Sequence, residues 1–172
     1  MSVDPVEAGI NPDTFRSVLR QWASGVAVIT SVGSDGRTHG MTASSFTSLS
    51  LHPPLVLVCV ARNNDTFPVL SSSRAYAVNV LAEGQEDLSR RFAQKGQMEH
   101  SLEGVPHFYG HHGLPLLEGC IASLECKVYD IHEVGDHAVF VGLVLGARAE
   151  VERRPLLYYH GAYNLLAPTM GP

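Results

Sequence analysis

The chain has 172 residues and a mass of 18.6 kDa, with 45% hydrophobic residues, 17% charged residues and a mean hydropathy of +0.05. That size fits one domain with a sizeable core, and the apolar share excludes a disordered chain. Twelve Lys and Arg against 17 Asp and Glu leave a net charge of −5, and no basic run exceeds Arg90-Arg91 or Arg153-Arg154, so the concentrated basic face needed for nucleic-acid binding is missing.

Taken in chain order, residues 1–10 are expected to be a mobile tail and carry no signal-peptide pattern. Asn11-Pro12-Asp13 starts a helix, with Asn11 as N-cap and Pro12 at the first helical position. Phe15, Val18, Leu19 and Trp22 recur at helical spacing, and Gly25 is expected to end the run. Residues 26–31 are β-branched and strand-like. Gly33-Ser34-Asp35-Gly36 is a turn, and residues 37–41 return as the second arm of a hairpin.

Residues 55–61, Leu-Val-Leu-Val-Cys-Val-Ala, predict a strand buried on both faces, starting at Pro53-Pro54. Residues 65–70 predict a single helical turn, 75–81 a strand, and 85–92 a short helix with Leu88 and Phe92 four apart. Residues 94–119, rich in Gly, His and Pro, are expected to form a long irregular region. From 120 to 132 the alternation places Cys120, Ala122, Leu124, Cys126 and Val128 on one face and Ser123, Glu125 and Lys127 on the other. Gly135-Asp136 turns into a second long strand over 138–149. Gly142 and Gly146 inside it imply strong bending or the close approach of a ligand. Residues 156–159 and 163–166 finish the sheet. Many short strands, two long ones and few helices predict a mainly β chain, an antiparallel β-barrel rather than a βαβ fold.

The longest apolar run, residues 53–61, is about half the roughly 20 residues that span a bilayer. Three cysteines, Cys59, Cys120 and Cys126, form no C-x-x-C pair, and a reducing cytoplasm is their natural setting. No two glycines are spaced as G-x-G and neither lysine follows a glycine, so the usual dinucleotide and phosphate loops are missing. His107, His111 and His112 lack an acid or Cys at ligand spacing, and no metal is expected.

Other segments carry chemistry. Thr42-Ala43-Ser44-Ser45-Phe46-Thr47-Ser48 holds five hydroxyls in seven residues. With free amides they form either a neutral phosphate cradle or a polar strand edge. Arg62-Asn63-Asn64-Asp65-Thr66 opens a helical turn, either as an anion site or as a plain N-cap. The tyrosines of Leu157-Tyr158-Tyr159-His160-Gly161-Ala162-Tyr163 either pack in the core or floor a pocket for a flat ring.

In combination, residues 22–30, Gly40-Met41-Thr42-Ala43-Ser44-Ser45-Phe46, residues 48–56, Asn63-Asn64-Asp65-Thr66-Phe67, residues 76–81, residues 88–93, Gly135-Asp136-His137 and residues 155–159 resemble the short-chain flavin reductases. These are the reductase components of two-component flavin-dependent monooxygenases. The resemblance covers about residues 14 to 166 in the family's order, although residues 62–67 depart from the more usual Ser-x-Thr spacing.

It implies a single domain, 1–172, folded as an antiparallel split β-barrel that forms a homodimer. Its implied activity is NAD(P)H:flavin oxidoreduction, with FMN or FAD reduced by NADH or NADPH and handed to a partner monooxygenase. A barrel that retains its flavin and reduces another small molecule, or a non-catalytic flavin-binding protein, stays open as an alternative. Carried over by position, Thr42, Ala43, Ser44 and Ser45 would line the flavin edge and ribityl chain. Cys59, Val60 and Ala61 would meet the ring through backbone groups, Thr66 the phosphate, and Arg91 and Phe92 the far side. His137 would be the catalytic residue beside the nicotinamide.

Overall fold

The structure is a computed structural model that describes residues 9–94 and 101–167. Residues 1–8 of the expected tail, and 95–100 of the expected irregular region, lie outside the described residues.

Helix α1 (Pro12–Leu19) starts as expected, with Asn11 Oδ1 accepting from the Thr14 amide at 2.9 Å. It stops at Leu19 and does not run on to Gly25. The amides of Gln21 and Trp22 bond to the carbonyls of Val18 and Leu19, tightening the end, and Gly25 lies in strand β1 (Ser24–Gly25). None of the residues of α1 is buried. Its apolar side has no core beneath it among the described residues.

The strands β2 (Ala27–Val32), β3 (Thr38–Ala43), β4 (Thr47–Leu51), β5 (Pro54–Ala61), β6 (Ala75–Val80), β9 (Ala122–Val134) and β10 (His137–Ala149) form a seven-stranded sheet. Its order is β3-β2-β6-β9-β10-β5-β4, with antiparallel pairing throughout. The expected split barrel is present. The edges β3 and β4 are joined by residues 44–46, where the barrel is split. Its interior holds Ile29, Val58, Val60, Tyr76, Val78 and Phe140, each fully buried. Each such side chain contributes about 1.5–3 kcal/mol over an exposed one.

Several expectations are corrected. β5 alternates, with Val56, Val58 and Val60 in the core while Leu55, Leu57, Cys59 and Ala61 are only half-buried on the outer face. The continuous apolar run therefore reports a second apolar surface that the described residues cover only in part. The helical turn after it is longer than one turn, α2 (Thr66–Ser73). The region 94–119 contains a hairpin, β7 (His107–Tyr109) with β8 (Pro115–Leu117). The segments near the C-terminus, β11 (Leu157–Tyr159) and β12 (Ala162–Asn164), do not finish the main sheet; they form a separate sheet with β1.

Of the polar face expected on β9, only Lys127 is exposed. Ser123 and Glu125 are 3% and 4% exposed. The β7–β8 hairpin and its loop cover them: the amides of His111 and His112 donate to the two Glu125 oxygens at 3.1 and 2.8 Å. Beside them Asn79 donates to the Val28 carbonyl and Thr30 Oγ1, and accepts from the Leu117 amide and Ser123 Oγ. All four hydrogen-bonding positions of this buried amide are filled.

Gly142 and Gly146 sit at the register shifts between β10 and β9. A Cβ at Gly142 would collide with the Tyr76 hydroxyl, so here the close approach is made by the protein's own core. Helix α3 (Glu86–Ala93) lays Leu88 and Phe92 against Val28, Leu81 and Leu156 in a second cluster outside β2. Glu86 and Asp87 in its first turn and Arg90 and Arg91 in its last match the helix dipole.

Candidate functional site

The pairing of β4 with β5 ends at Thr47–Leu57, which leaves the next edge groups of β5 without a strand partner. Ser45, in the connection between β3 and β4, takes their place. Its hydroxyl donates to the Cys59 carbonyl and accepts from the Cys59 amide, both at 3.1 Å. The single hydroxyl proton of Ser45 is thus committed to β5, and the residue clips the β3–β4 connection onto the strand. Ser44 beside it is exposed. Val60 and Ala43 point into the core and offer only backbone, whereas Cys59 and Ala61 lie on the outer face.

Beyond Ala61 the chain turns into α2. The Asn64 amide bonds to the Ala61 carbonyl, and Asn64 Oδ1 accepts from the Thr66 amide at 2.8 Å. Asp65, the N-cap, makes no side-chain cap bond. Thr66 is fully buried and its Oγ1 has no hydrogen-bond partner among the described residues. A buried hydroxyl left unpaired costs about 1–3 kcal/mol. An N-terminal helical amide dipole and an unsatisfied hydroxyl therefore meet where β5 ends.

β10 supplies the other side of this end. His137 pairs with Ala61, and Val139 with Cys59, so these four side chains share the outer face. The His137 ring is half exposed, with Nδ1 2.7 Å from Asp136 Oδ1. The hydrogen bond from His137, and then its charge, hold the Asp136 carboxyl below its ordinary value.

Thr42, Arg91 and Phe92 are placed elsewhere. Thr42 Oγ1 donates to the Ser89 carbonyl of α3 at 2.7 Å. Arg91 donates to the carbonyls of Ser101 and Glu103 at 3.0 and 2.8 Å, and Phe92 is buried in the second cluster against Gly40. The fold brings Ser45, Cys59, Ala61, Thr66 and His137 to one end of β5. It puts the other three on the α3 side of β3.

A groove of about 930 Å³ adjoins Ser44 and Ser45. Phe15 and Leu19 line it from α1, Trp22 from the segment after it, Tyr158 from β11 and His160 from the turn between β11 and β12. Trp22 is 78% exposed. Such apolar walls with a few hydroxyls suit a flat aromatic ligand. The α1 residues were legible only as a helical stripe. Position along the stripe does not say whether a core, a ligand or a second chain covers it.

Burial pushes the Cys120 and Cys126 thiols up to about 12, so both stay neutral and inert. Among the described residues, no three His, Cys, Asp or Glu gather as a metal site, and no helix is long and apolar enough to cross a membrane.

The chain matches the flavin reductase like domain over residues 19–167. It is 35% identical over 164 residues to a flavin reductase of Pseudomonas putida, covering 95% of each chain. It is 39% identical over 165 residues to HsaB of Mycobacterium tuberculosis, described as the reductase subunit of a flavin-dependent monooxygenase, covering 95% of this chain and 87% of that one. Among solved structures, it resembles the NADH:FAD oxidoreductase SgcE6 of Streptomyces globisporus in complex with NAD and FAD fragments. The TM-score is 0.87 at 36% identity, covering 95% of this chain and 99% of that chain.

Proposed function

The chain belongs to the flavin reductase family, and from that membership and the geometry at the end of β5 we propose that it is an NAD(P)H:flavin oxidoreductase supplying reduced FMN or FAD to a partner monooxygenase. The observation that carries the placement of the flavin is the buried Thr66 hydroxyl at the start of α2, without a partner among the described residues and next to the open end of β5. The group fits these residues: a phosphate accepts hydrogen bonds from hydroxyls and amides and needs no lysine.

Flavin supplies a ring that accepts hydride from the nicotinamide. The chain's own residues bind and orient. Thr66 Oγ1 at the start of α2 holds the phosphate, while the backbone at Ala43, Cys59, Val60 and Ala61 and residues Ser44 and Ser45 shape the ring edge. Ser45 acts by fixing Cys59, since its proton is already donated there. Thr42, Arg91 and Phe92 act from the α3 side, setting the position of β3. With Nδ1 facing Asp136, His137 would have Nε2 free to meet the nicotinamide. Placing two rings face to face supplies much of the rate.

The exposed side of α1 and the outer face of β5 and β10 are the dimer surface in this reading, and one domain comprises the chain. The absence of disulfides among the three cysteines supports a cytoplasmic setting.

Steady-state NADH oxidation tests the reading. A preparation isolated without yellow colour should oxidise NADH only when flavin is added, and the rate should saturate with FMN or FAD. His137→Ala should raise the nicotinamide KM about tenfold, some 1.4 kcal/mol, with flavin affinity within about twofold. Tightly held yellow colour with no response to added flavin would assign the chain to a flavin-retaining enzyme instead.

A further inference from the structure

Arg62 follows the last residue of β5 and reaches across to the turn between β9 and β10. Its Nη2 donates to the Gly135 carbonyl at 2.7 Å, its Nη1 to Glu133 Oε2 at 3.2 Å, and its own amide to the Asp136 carbonyl at 3.0 Å. Three contacts thus converge on the residues just before His137. Gly135, at φ +61, takes a left-handed conformation, so the turn is tight and its exit direction is defined. Asp136 then holds the His137 Nδ1.

The two side chains of the Arg62–Glu133 pair are 47% and 60% exposed. An exposed pair contributes little to stability, about 0–1 kcal/mol. Stability therefore does not account for a guanidinium that places a donor from each terminal nitrogen on one turn.

We propose that Arg62 is a positioning residue: it clamps the 133–136 turn, fixes Asp136 against His137, and so sets the orientation and tautomer of the imidazole. The proposal rests on the flavin reductase reading given above. A carboxylate bonded to one ring nitrogen decides which nitrogen carries the proton. Clamping the backbone on either side of that carboxylate turns a local contact into a persistent one. No group touching substrate is added by this assignment; Arg62 acts only through its neighbours.

The test is a double-mutant cycle with Arg62→Gln, Arg62→Lys, His137→Ala and the combined Arg62→Gln/His137→Ala variant. Thermal unfolding serves as a folding check on each. Arg62→Gln should raise the NADH KM about fivefold and leave the flavin dissociation constant within about twofold. Arg62→Lys, which keeps the charge but not the fork, should lie between. Combined with His137→Ala, the substitution should cause no further loss, because its effect passes through the imidazole.

A second readout needs no flavin and no turnover. Long-range ¹H–¹⁵N correlation in the flavin-free protein should show one His137 tautomer, protonated at Nδ1, in the wild type and a mixture in Arg62→Gln. If Arg62→Gln does not fold, Glu133→Ala, which removes the Nη1 contact only, should still shift the tautomer in the same direction. Additive losses in the cycle, an unchanged tautomer, or a flavin dissociation constant that rises with the KM would each overturn the proposal. A wild-type protein that does not oxidise NADH with added flavin would instead remove the reading beneath it.

Discussion

Thr66 conceals a hydroxyl from water without giving it a partner among the described residues. Folding without ligand is therefore penalised there, and a phosphate arriving at α2 relieves the penalty. Thr66→Val keeps the shape and removes the polar atom. Without flavin, the variant should be more stable by about 1 kcal/mol, a rise of about 2–4 °C in the unfolding midpoint for a chain of this size. Its flavin dissociation constant should rise about tenfold. Calorimetry and a binding titration check the two halves, and a variant that is both less stable and unchanged in affinity would place the hydroxyl outside the binding site. Thr66 was legible in the sequence as part of an N-terminal helical turn. Its missing partner was not, because satisfaction of a hydroxyl depends on what packs around it in three dimensions.

The same limit shows in the serines and threonines of residues 42–48. Five hydroxyls in seven residues read as a cradle or as a strand edge. The structure ties two of them to the chain's own backbone: Thr42 to α3 through the Ser89 carbonyl, and Ser45 to the edge of β5 through Cys59. Composition identifies donors. Only the register, which ends β4 pairing at Leu57, decides where those donors are needed.

Among the elements, α1, the β2–β3 hairpin, β5, β6, α3 and the long β9–β10 pair were legible from caps, turns and period. What failed did so for a physical reason. Glu125 reads as a solvent-facing residue because it alternates with Cys126 and Leu124. The β7–β8 hairpin, whose three-residue strands are too short to give a periodic signal, covers it and supplies two amide donors. Asn79 anchors this hairpin to the main sheet through the Leu117 amide, while Thr30, which it also bonds, donates to the Pro115 carbonyl. Asn79→Ala should cost about 2–4 kcal/mol, since several buried groups lose their partner at once. Denaturant unfolding would show the loss, and hydrogen exchange should rise first over residues 107–117. A loss below about 0.5 kcal/mol would mean that the hairpin is held by its apolar contacts alone.

For the molecule as a whole, two apolar surfaces are left open among the described residues: the side of α1 with Phe15, Val18 and Leu19, each more than half exposed, and the half-buried outer face of β5. The sequence announced both as apolar and gave no means to tell a core from an interface, because both present the same pattern. Leu19→Asp removes apolar area that lies outside the core, so the single chain should keep its fold and lose its partner. Light scattering should give a mass twice 18.6 kDa for the wild type and 18.6 kDa for the variant. A variant that unfolds, or that stays paired, would contradict this assignment of α1.

The account depends most on a flavin held at the end of β5 by hydroxyls and backbone amides. Titration of the chain with FMN and with FAD, followed by quenching of flavin fluorescence, addresses that claim directly. It should give saturable uptake of one flavin per chain for at least one of the two, weakened about tenfold by Thr66→Val. Quenching that never saturates with either flavin, or that Thr66→Val does not alter, would contradict it.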